Sequence, residues 1–220
     1  SELNQVALSA ILDNATKSIR QRGEFHFVLS GGDTPRRIYQ QLRFIHTNWS
    51  AWHIYFSDER CLLAGDQNLN SRMAGEAWLD HVPIPRSQLY EIPVELGASL
   101  AAYEYASTLR SVEAFDLTFL GLGEDGHTAS LFPGHEWGSE VGSPDTLAVF
   151  TAPKAPEHRV SMSAARLSRS RQVIFLVSGE SKHMVVAKWR RGSNIPAKAI
   201  MPTAGVDVLL ESSLLVPLSI

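Results

Sequence analysis

Three features of the 220-residue chain predict an α/β fold with an open, largely parallel sheet flanked by helices. Segments with helical spacing of apolar residues alternate with short β-rich runs over most of the length. The clearest early β-runs end in polar or glycine-dense turns. No repeat, low-complexity run or long linker divides the chain, so residues 1–220 are read as a single domain. Together these describe a Rossmann-like, doubly wound sheet, which places ligands at the carboxyl ends of its strands.

The elements follow in order. Residues 2–22 carry Leu3, Val6, Ala7, Ala10, Ile11 and Ala15 as a helical stripe, stopped by Gly23. Glu24–Leu29 reads as a strand. In the turn after it, Thr34 is the expected N-cap and Pro35 the expected first residue of a helix running to about Leu42. Trp52–Phe56 is a second strand, opening onto a polar loop from Ser57 to Arg60 and a further loop from Gly65 to Asn70. Ser71–Leu79 reads as a helix, and residues 80–97, with three prolines, as a connecting loop. Ser99–Val112 is a helix with Leu100, Tyr103, Ala106, Leu109 and Val112 at helical spacing, and Phe115–Leu120 is a strand. Further strands are expected near Leu147–Thr151, Arg159–Ser163, Gln172–Val177 and Val206–Leu210, with a helix over Ser181–Arg190.

Bulk properties exclude several classes. The hydrophobic share of 44% and charged share of 20% are those of an ordinary globular protein. One cysteine, Cys61, excludes an internal disulfide framework and fits a reducing, cytoplasmic setting. The formal net charge of −3 argues against nucleic acid as a partner, though not against a small anion held by a local cluster of donors. No run of about 18 apolar residues predicts a membrane span. The first 23 residues lack the pattern of a signal peptide, and without an initiator Met further residues are expected upstream. A monomer or weak dimer is expected.

Four constellations could carry chemistry. The turn Ser30-Gly31-Gly32-Asp33-Thr34-Pro35 joins a strand to a helix start, where backbone N–H groups and the helix dipole suit a phosphate. The same glycines also serve a tight turn, and the lack of a following Gly-Lys-Ser/Thr excludes a Walker loop. Asp58-Glu59-Arg60 is either a solvated loop or an anion clamp with carboxylates for substrate hydroxyls; Asn68 and Asn70 could bind a sugar or cap the next helix. Gly121-x-Gly123-x-x-Gly126 matches the dinucleotide fingerprint, but it lies mid-chain and meets Pro133 within two turns. A lone histidine is more often structural than catalytic; His127 gains weight from Asp125 two residues before it and from its place at a strand end. Lys154, Arg159 and Lys182 form a scattered basic set near strand or helix ends.

Taken together, the stretches LSGGDTP (Leu29–Pro35), FSDER (Phe56–Arg60), GLGEDGHTASLFPG (Gly121–Gly134), PEHRVSMS (Pro156–Ser163) and VSGESKHMVVAK (Val177–Lys188) resemble the 6-phosphogluconolactonases, within the wider group that includes glucosamine-6-phosphate isomerase/deaminase. They occur in the family's order and span most of the chain, and the long glycine-histidine stretch is the specific one. The resemblance implies hydrolysis of 6-phospho-D-glucono-1,5-lactone in the oxidative pentose phosphate pathway, with a small sugar phosphate as the only partner. The isomerase relatives carry a glutamate five residues after the matching histidine, where this chain has Phe132. The family usually has a strand before its first helix, whereas this chain starts almost at the helix. Ser161 stands where the family often has Thr.

Lactone hydrolysis needs a base for water, donors for the oxyanion and an acid for the leaving ring oxygen. His127 is the expected base and then acid; Asp125 either orients its ring or holds a hydroxyl. Backbone N–H groups of the glycine turn are expected near the oxyanion, and Gly123 among the substrate-binding residues. The phosphate is expected at Ser30, Gly31, Gly32 and Thr34, with Arg60, Arg159 and Lys182 as cations and Asp58 or Glu59 on substrate hydroxyls. Neither metal nor cofactor is expected, since a lactone is already an activated ester. The rival readings are a sugar-phosphate isomerase or deaminase, a non-catalytic sugar-phosphate sensor and a dehydrogenase.

Overall fold

A computed structural model describes residues 1–215. Six strands form the main sheet: β1 (Phe25–Leu29), β2 (Trp52–Phe56), β4 (Leu89–Tyr90), β5 (Phe115–Gly121), β8 (Ser170–Val177) and β9 (Val206–Leu210). Their order is β4-β2-β1-β5-β8-β9, and every neighbouring pair is parallel. Three shorter strands, β3 (Asp58–Arg60), β6 (Thr146–Val149) and β7 (Arg159–Met162), form a separate antiparallel sheet in the order β3-β7-β6. The helices are α1 (Glu2–Arg22), α2 (Asp33–Leu42), α3 (Asn70–Ala77), α4 (Ala98–Leu109), α5 (Ala164–Ser168) and α6 (His183–Arg190).

The central strands β1 and β5 are apolar and buried nearly throughout, as expected of strands covered on both faces. Phe27 of β1 meets Phe119 of β5 edge-on at 5.1 Å, and Phe25 meets Trp52 at 4.8 Å. Helix α1 lies along β1, β5 and β9 and buries Leu3, Ala7, Ile11, Ala15 and Ser18. Gly23 ends it at φ 83°, its N–H bonded to the Ile19 carbonyl at 2.9 Å. Two buried tyrosines fix the carboxyl ends of the strands that approach the site. The Tyr39 phenol of α2 receives the Ser30 N–H and donates to the Ser30 carbonyl, at 3.1 and 3.2 Å. Tyr105 of α4 does the same for Phe56, at 2.9 and 3.0 Å.

The strands and long helices of the sequence reading are present, with five corrections. Residues 58–60 are a strand, because their backbone pairs with β7 a hundred residues away. The helix after β1 starts at Asp33 with Gly32 as its N-cap, so Thr34 and Pro35 are its second and third residues. The proline-rich segment 80–97 contains an edge strand, Leu89–Tyr90, paired with Ile54 and Tyr55. The buried face of α4 is Ala101, Ala102, Tyr105 and Leu109, while Leu100 and Tyr103 are exposed; small alanines let the helix approach the short sheet closely. The helix placed over Ser181–Arg190 is a 3-10 turn, Glu180–Lys182, followed by α6. No helix of the described residues is long and apolar enough to cross a membrane.

Glu59 shows why β3 matters to the fold. It is 1% exposed, and its two carboxylate oxygens accept the N–H groups of Arg60, Asn70 and Ser71 at 2.8–2.9 Å. It is therefore the anionic cap of α3, where side-chain oxygens stabilise unpaired helix donors. Burial raises its pKa, opposed by those N–H bonds. Glu59→Ala strands three N–H groups and should lower unfolding free energy by about 2 kcal/mol in urea titration; an unchanged midpoint would contradict the capping role.

Candidate active site

From β1 the chain moves outward through β2 to the edge strand β4; from β5 it moves the other way, through β8 to β9. The loops leaving β1 and β5 therefore part between two paired strands, the switch point where open α/β sheets bind ligands. A cleft of about 530 Å³ opens there. Ser30, Gly31, Gly32, Thr34, Asp58, Arg60, Gly123, His127, Arg159 and Lys182 all line it. Of the residues expected at the site, Glu59 and Asp125 do not. Glu59 is buried and turned away into the cap of α3, so neither oxygen faces a substrate hydroxyl. Asp125 stands behind His127.

The β1 side presents the N-terminus of α2. Gly32 sits at φ 109° and has no side chain to cap the helix, and among the described residues no other side chain bonds the helix's first N–H groups, which remain open to an anion. Thr34 Oγ1 lies 2.5 Å from Ser178 Oγ at the end of β8, joining the two walls over β5. The β3–β7 side brings Arg60 and Arg159 into register as neighbours. Arg60 donates to the Asn68 carbonyl at 2.6 Å; Arg159 donates to the carbonyls of Lys154 and Pro156 and lies 5.6 Å from the Phe132 ring. Burial lowers the pKa of Arg159, opposed by Asp58 and reinforced by Arg60. Lys182 is likewise lowered by burial, with Glu124 and Asp125 pulling it back up.

The β5 side carries the histidine. Asp125 Oδ1 is 2.5 Å from His127 Nδ1 and also accepts the His127 N–H at 3.1 Å. Burial pushes the Asp125 carboxyl up, but the backbone N–H and charge of His127 outweigh it and hold the pKa below the ordinary value. An ionised carboxylate only accepts, so Nδ1 carries the proton, and in the neutral ring Nε2 is the nitrogen with the lone pair. Among the described residues Nε2 has no hydrogen-bond partner. Position 123 must be glycine for this pair to form: a Cβ there would stand 2.0 Å from His127 Nδ1 and 2.6 Å from Asp125 Oδ1.

The turn is closed on itself in a way the sequence does not announce. Gly123 N–H donates to the His127 carbonyl at 2.8 Å and Gly126 N–H to the Gly123 carbonyl at 3.0 Å. The Gly123 N–H is thus already committed. No helix follows Gly126; residues 128–131 form a tight reversal with a Thr128–Leu131 bridge, which removes the structural context of a dinucleotide fingerprint. Phe132 is buried with Val149 and Ala152, its ring 4.9 Å from the imidazole. The position that the isomerase relatives give to a carboxylate is filled here by an apolar face.

Sequence reasoning missed Ser130 and Thr128 and left the partners of Asn70 and Ser30 unassigned. Ser130 Oγ donates to Asp58 Oδ2 at 2.6 Å, tying the histidine loop to β3 across 72 residues of chain. Asn70 donates to the Asp58 carbonyl at 3.0 Å from the cleft wall. Among the described residues, Ser30 Oγ and Thr128 Oγ1 are buried in the lining without a partner. Only the polar run around Asp58 and the motif around Ser130 hinted at these, since Asp58 and Ser130 lie 72 residues apart in sequence.

With the geometry in place, comparison with known proteins is direct. The family model described as glucosamine-6-phosphate isomerases/6-phosphogluconolactonase matches residues 1–209. The chain belongs to this family. It is 36% identical over 219 residues to 6-phosphogluconolactonase of Synechocystis, covering 93% of this chain and 89% of that protein. It is 35% identical over 203 residues to the human GDH/6PGL endoplasmic bifunctional protein; the match takes 87% of this chain but spans about a quarter of the human protein, 25%. Among solved structures, 6-phosphogluconolactonase from Trypanosoma brucei superposes with a TM-score of 0.86 at 26% identity, covering 99% of this chain and 95% of that one.

The hydrogen-bond arrangement makes a spectroscopic prediction. In ¹⁵N-histidine NMR spectra recorded where the ring is neutral, His127 should show a protonated Nδ1 and an unprotonated Nε2. Gly123→Ala should abolish that signature by separating the pair. A wild-type ring protonated on Nε2 would contradict the arrangement.

Proposed function

We propose that the chain hydrolyses 6-phospho-D-glucono-1,5-lactone to 6-phosphogluconate, with His127 as general base. One observation carries the reading: His127, anchored from behind by Asp125 and with Nε2 unpaired among the described residues, shares a single cleft with the N-terminus of α2. The family membership and the lactonase names of the relatives support it.

In this reading the phosphate takes the N–H groups of Gly31 to Thr34, since that of Ser30 is held by Tyr39, and Arg60, Arg159 and Lys182 share its charge. The lactone carbonyl then lies toward β5. His127 Nε2 removes a proton from water as its oxygen bonds to C1. The tetrahedral intermediate collapses with cleavage of the C1–ring-oxygen bond, and the imidazolium returns the proton to that oxygen. Asp125 keeps the tautomer and steadies the transient positive ring. The lining carries Arg37, Arg60, Lys154, Arg159 and Lys182 against Asp33, Asp58 and Glu124. Its positive balance favours both the phosphate and the developing oxyanion. Asp58, held by Ser130 and facing the cleft, is the carboxylate placed for a sugar hydroxyl.

Phe132 separates this chemistry from ring-opening amine release. With an apolar ring against His127, the proton relay of the deaminases lacks its second carboxylate. Glucosamine 6-phosphate should therefore yield no ammonia.

His127→Gln keeps a similar shape and removes the base. It should lower kcat on the lactone by about 10²–10⁴-fold while leaving KM within a few-fold. Turnover close to wild type would sink the assignment. The measurement requires subtracting spontaneous lactone hydrolysis.

A further inference from the structure

We propose that Glu211 is a positioning residue for the phosphate end of the cleft, acting through the Ser178–Lys182 turn. The proposal rests on the lactonase reading above and adds a residue outside the motifs that suggested it.

The turn leaves β8 through Gly179, at φ 96°, and closes when Lys182 N–H donates to the Gly179 carbonyl at 3.0 Å. Ser178, Gly179 and Lys182 all line the cleft. On the inner side, Thr34 Oγ1 meets Ser178 Oγ, fixing the turn to the first turn of α2. On the outer side, Gly179 N–H donates to Glu211 Oε2 at 2.9 Å. Glu211 is itself held firmly. Its N–H bonds to the Val177 carbonyl at 3.3 Å, and its carbonyl receives the Leu214 N–H at 2.9 Å, with Leu214 3% exposed in the core.

The carboxylate thus takes a backbone donor at the start of a helical turn, where negative charge is favoured. By satisfying that N–H from behind, it fixes the turn and leaves Ser178 and Lys182 facing the cleft. The histidine loop hangs from β5, and among the described residues no hydrogen bond joins it to Gly179 or Glu211. Loosening the turn should therefore weaken phosphate binding in the ground state and leave the chemical step intact.

The test compares wild type, Glu211→Ala and Glu211→Gln for lactone kinetics, inhibition by inorganic phosphate and unfolding midpoint. Glu211→Ala should raise KM about tenfold and weaken phosphate inhibition in parallel, with kcat within about twofold of wild type. Glu211→Gln retains an acceptor oxygen and should stay near wild type in both. Unchanged KM and phosphate inhibition in Glu211→Ala would overturn the proposal. So would a fall in kcat with KM constant, or equal losses in Ala and Gln variants that track a lowered midpoint. A wild-type protein inactive on the lactone overturns the functional reading itself and this proposal with it. An active wild type with an indifferent Glu211→Ala overturns the proposal alone.

Discussion

The pairing of β1 with β5 is the constraint on which the site depends. Phe27 and Val28 run beside Leu117 and Thr118, and beyond them the two chains leave in opposite directions. Backbone pairing forces the glycine turn after Leu29 and the histidine turn after Leu120 to open onto the same space, although some ninety residues separate them. Neither turn makes a site alone. The first supplies an uncapped helix terminus, suited to any small anion; the second supplies an oriented imidazole, suited to many proton transfers. Their junction allows an anion to be gripped at one end while a carbonyl is presented at the other.

The supporting residues convert that junction into a fixed distance. Tyr39 grips Ser30 through both its N–H and carbonyl, so the anion turn cannot slide along β1. Asp58, on the short sheet, holds Ser130 just beyond the histidine. Asp125 holds the ring, and Gly123 leaves room for both. Each contact is worth little singly, as hydrogen bonds in folded chains usually are. Together they restrict His127 to one tautomer and one orientation before any ligand arrives.

Much of this was legible in the sequence, and the limits were physical. Periodicity located β1, β5, β8 and α1 because their burial is decided by local spacing. It misassigned the buried face of α4, since Leu100 and Tyr103 are larger than the alanines that actually meet the short sheet. It read Asp58–Arg60 as loop because three charged residues form a strand only when β7 supplies the pairing. The His127–Asp125 pair was visible because both partners lie in one motif. Glu59 was misread as a substrate ligand, because its three N–H partners include two that lie beyond the intervening loop. The N–H of Gly123 is a similar case: only the folded turn shows it spent on the His127 carbonyl.

The central claim is that the phosphate lies at the N-terminus of α2 while the reacting carbon lies at His127. A crystal structure of the complex with 6-phosphogluconate tests it most directly. Phosphate oxygens are expected within hydrogen-bond reach of the backbone N–H groups of Gly31 to Thr34, and the C1 carboxylate against His127 Nε2. A product bound the other way round, with its phosphate beside His127, would contradict the account.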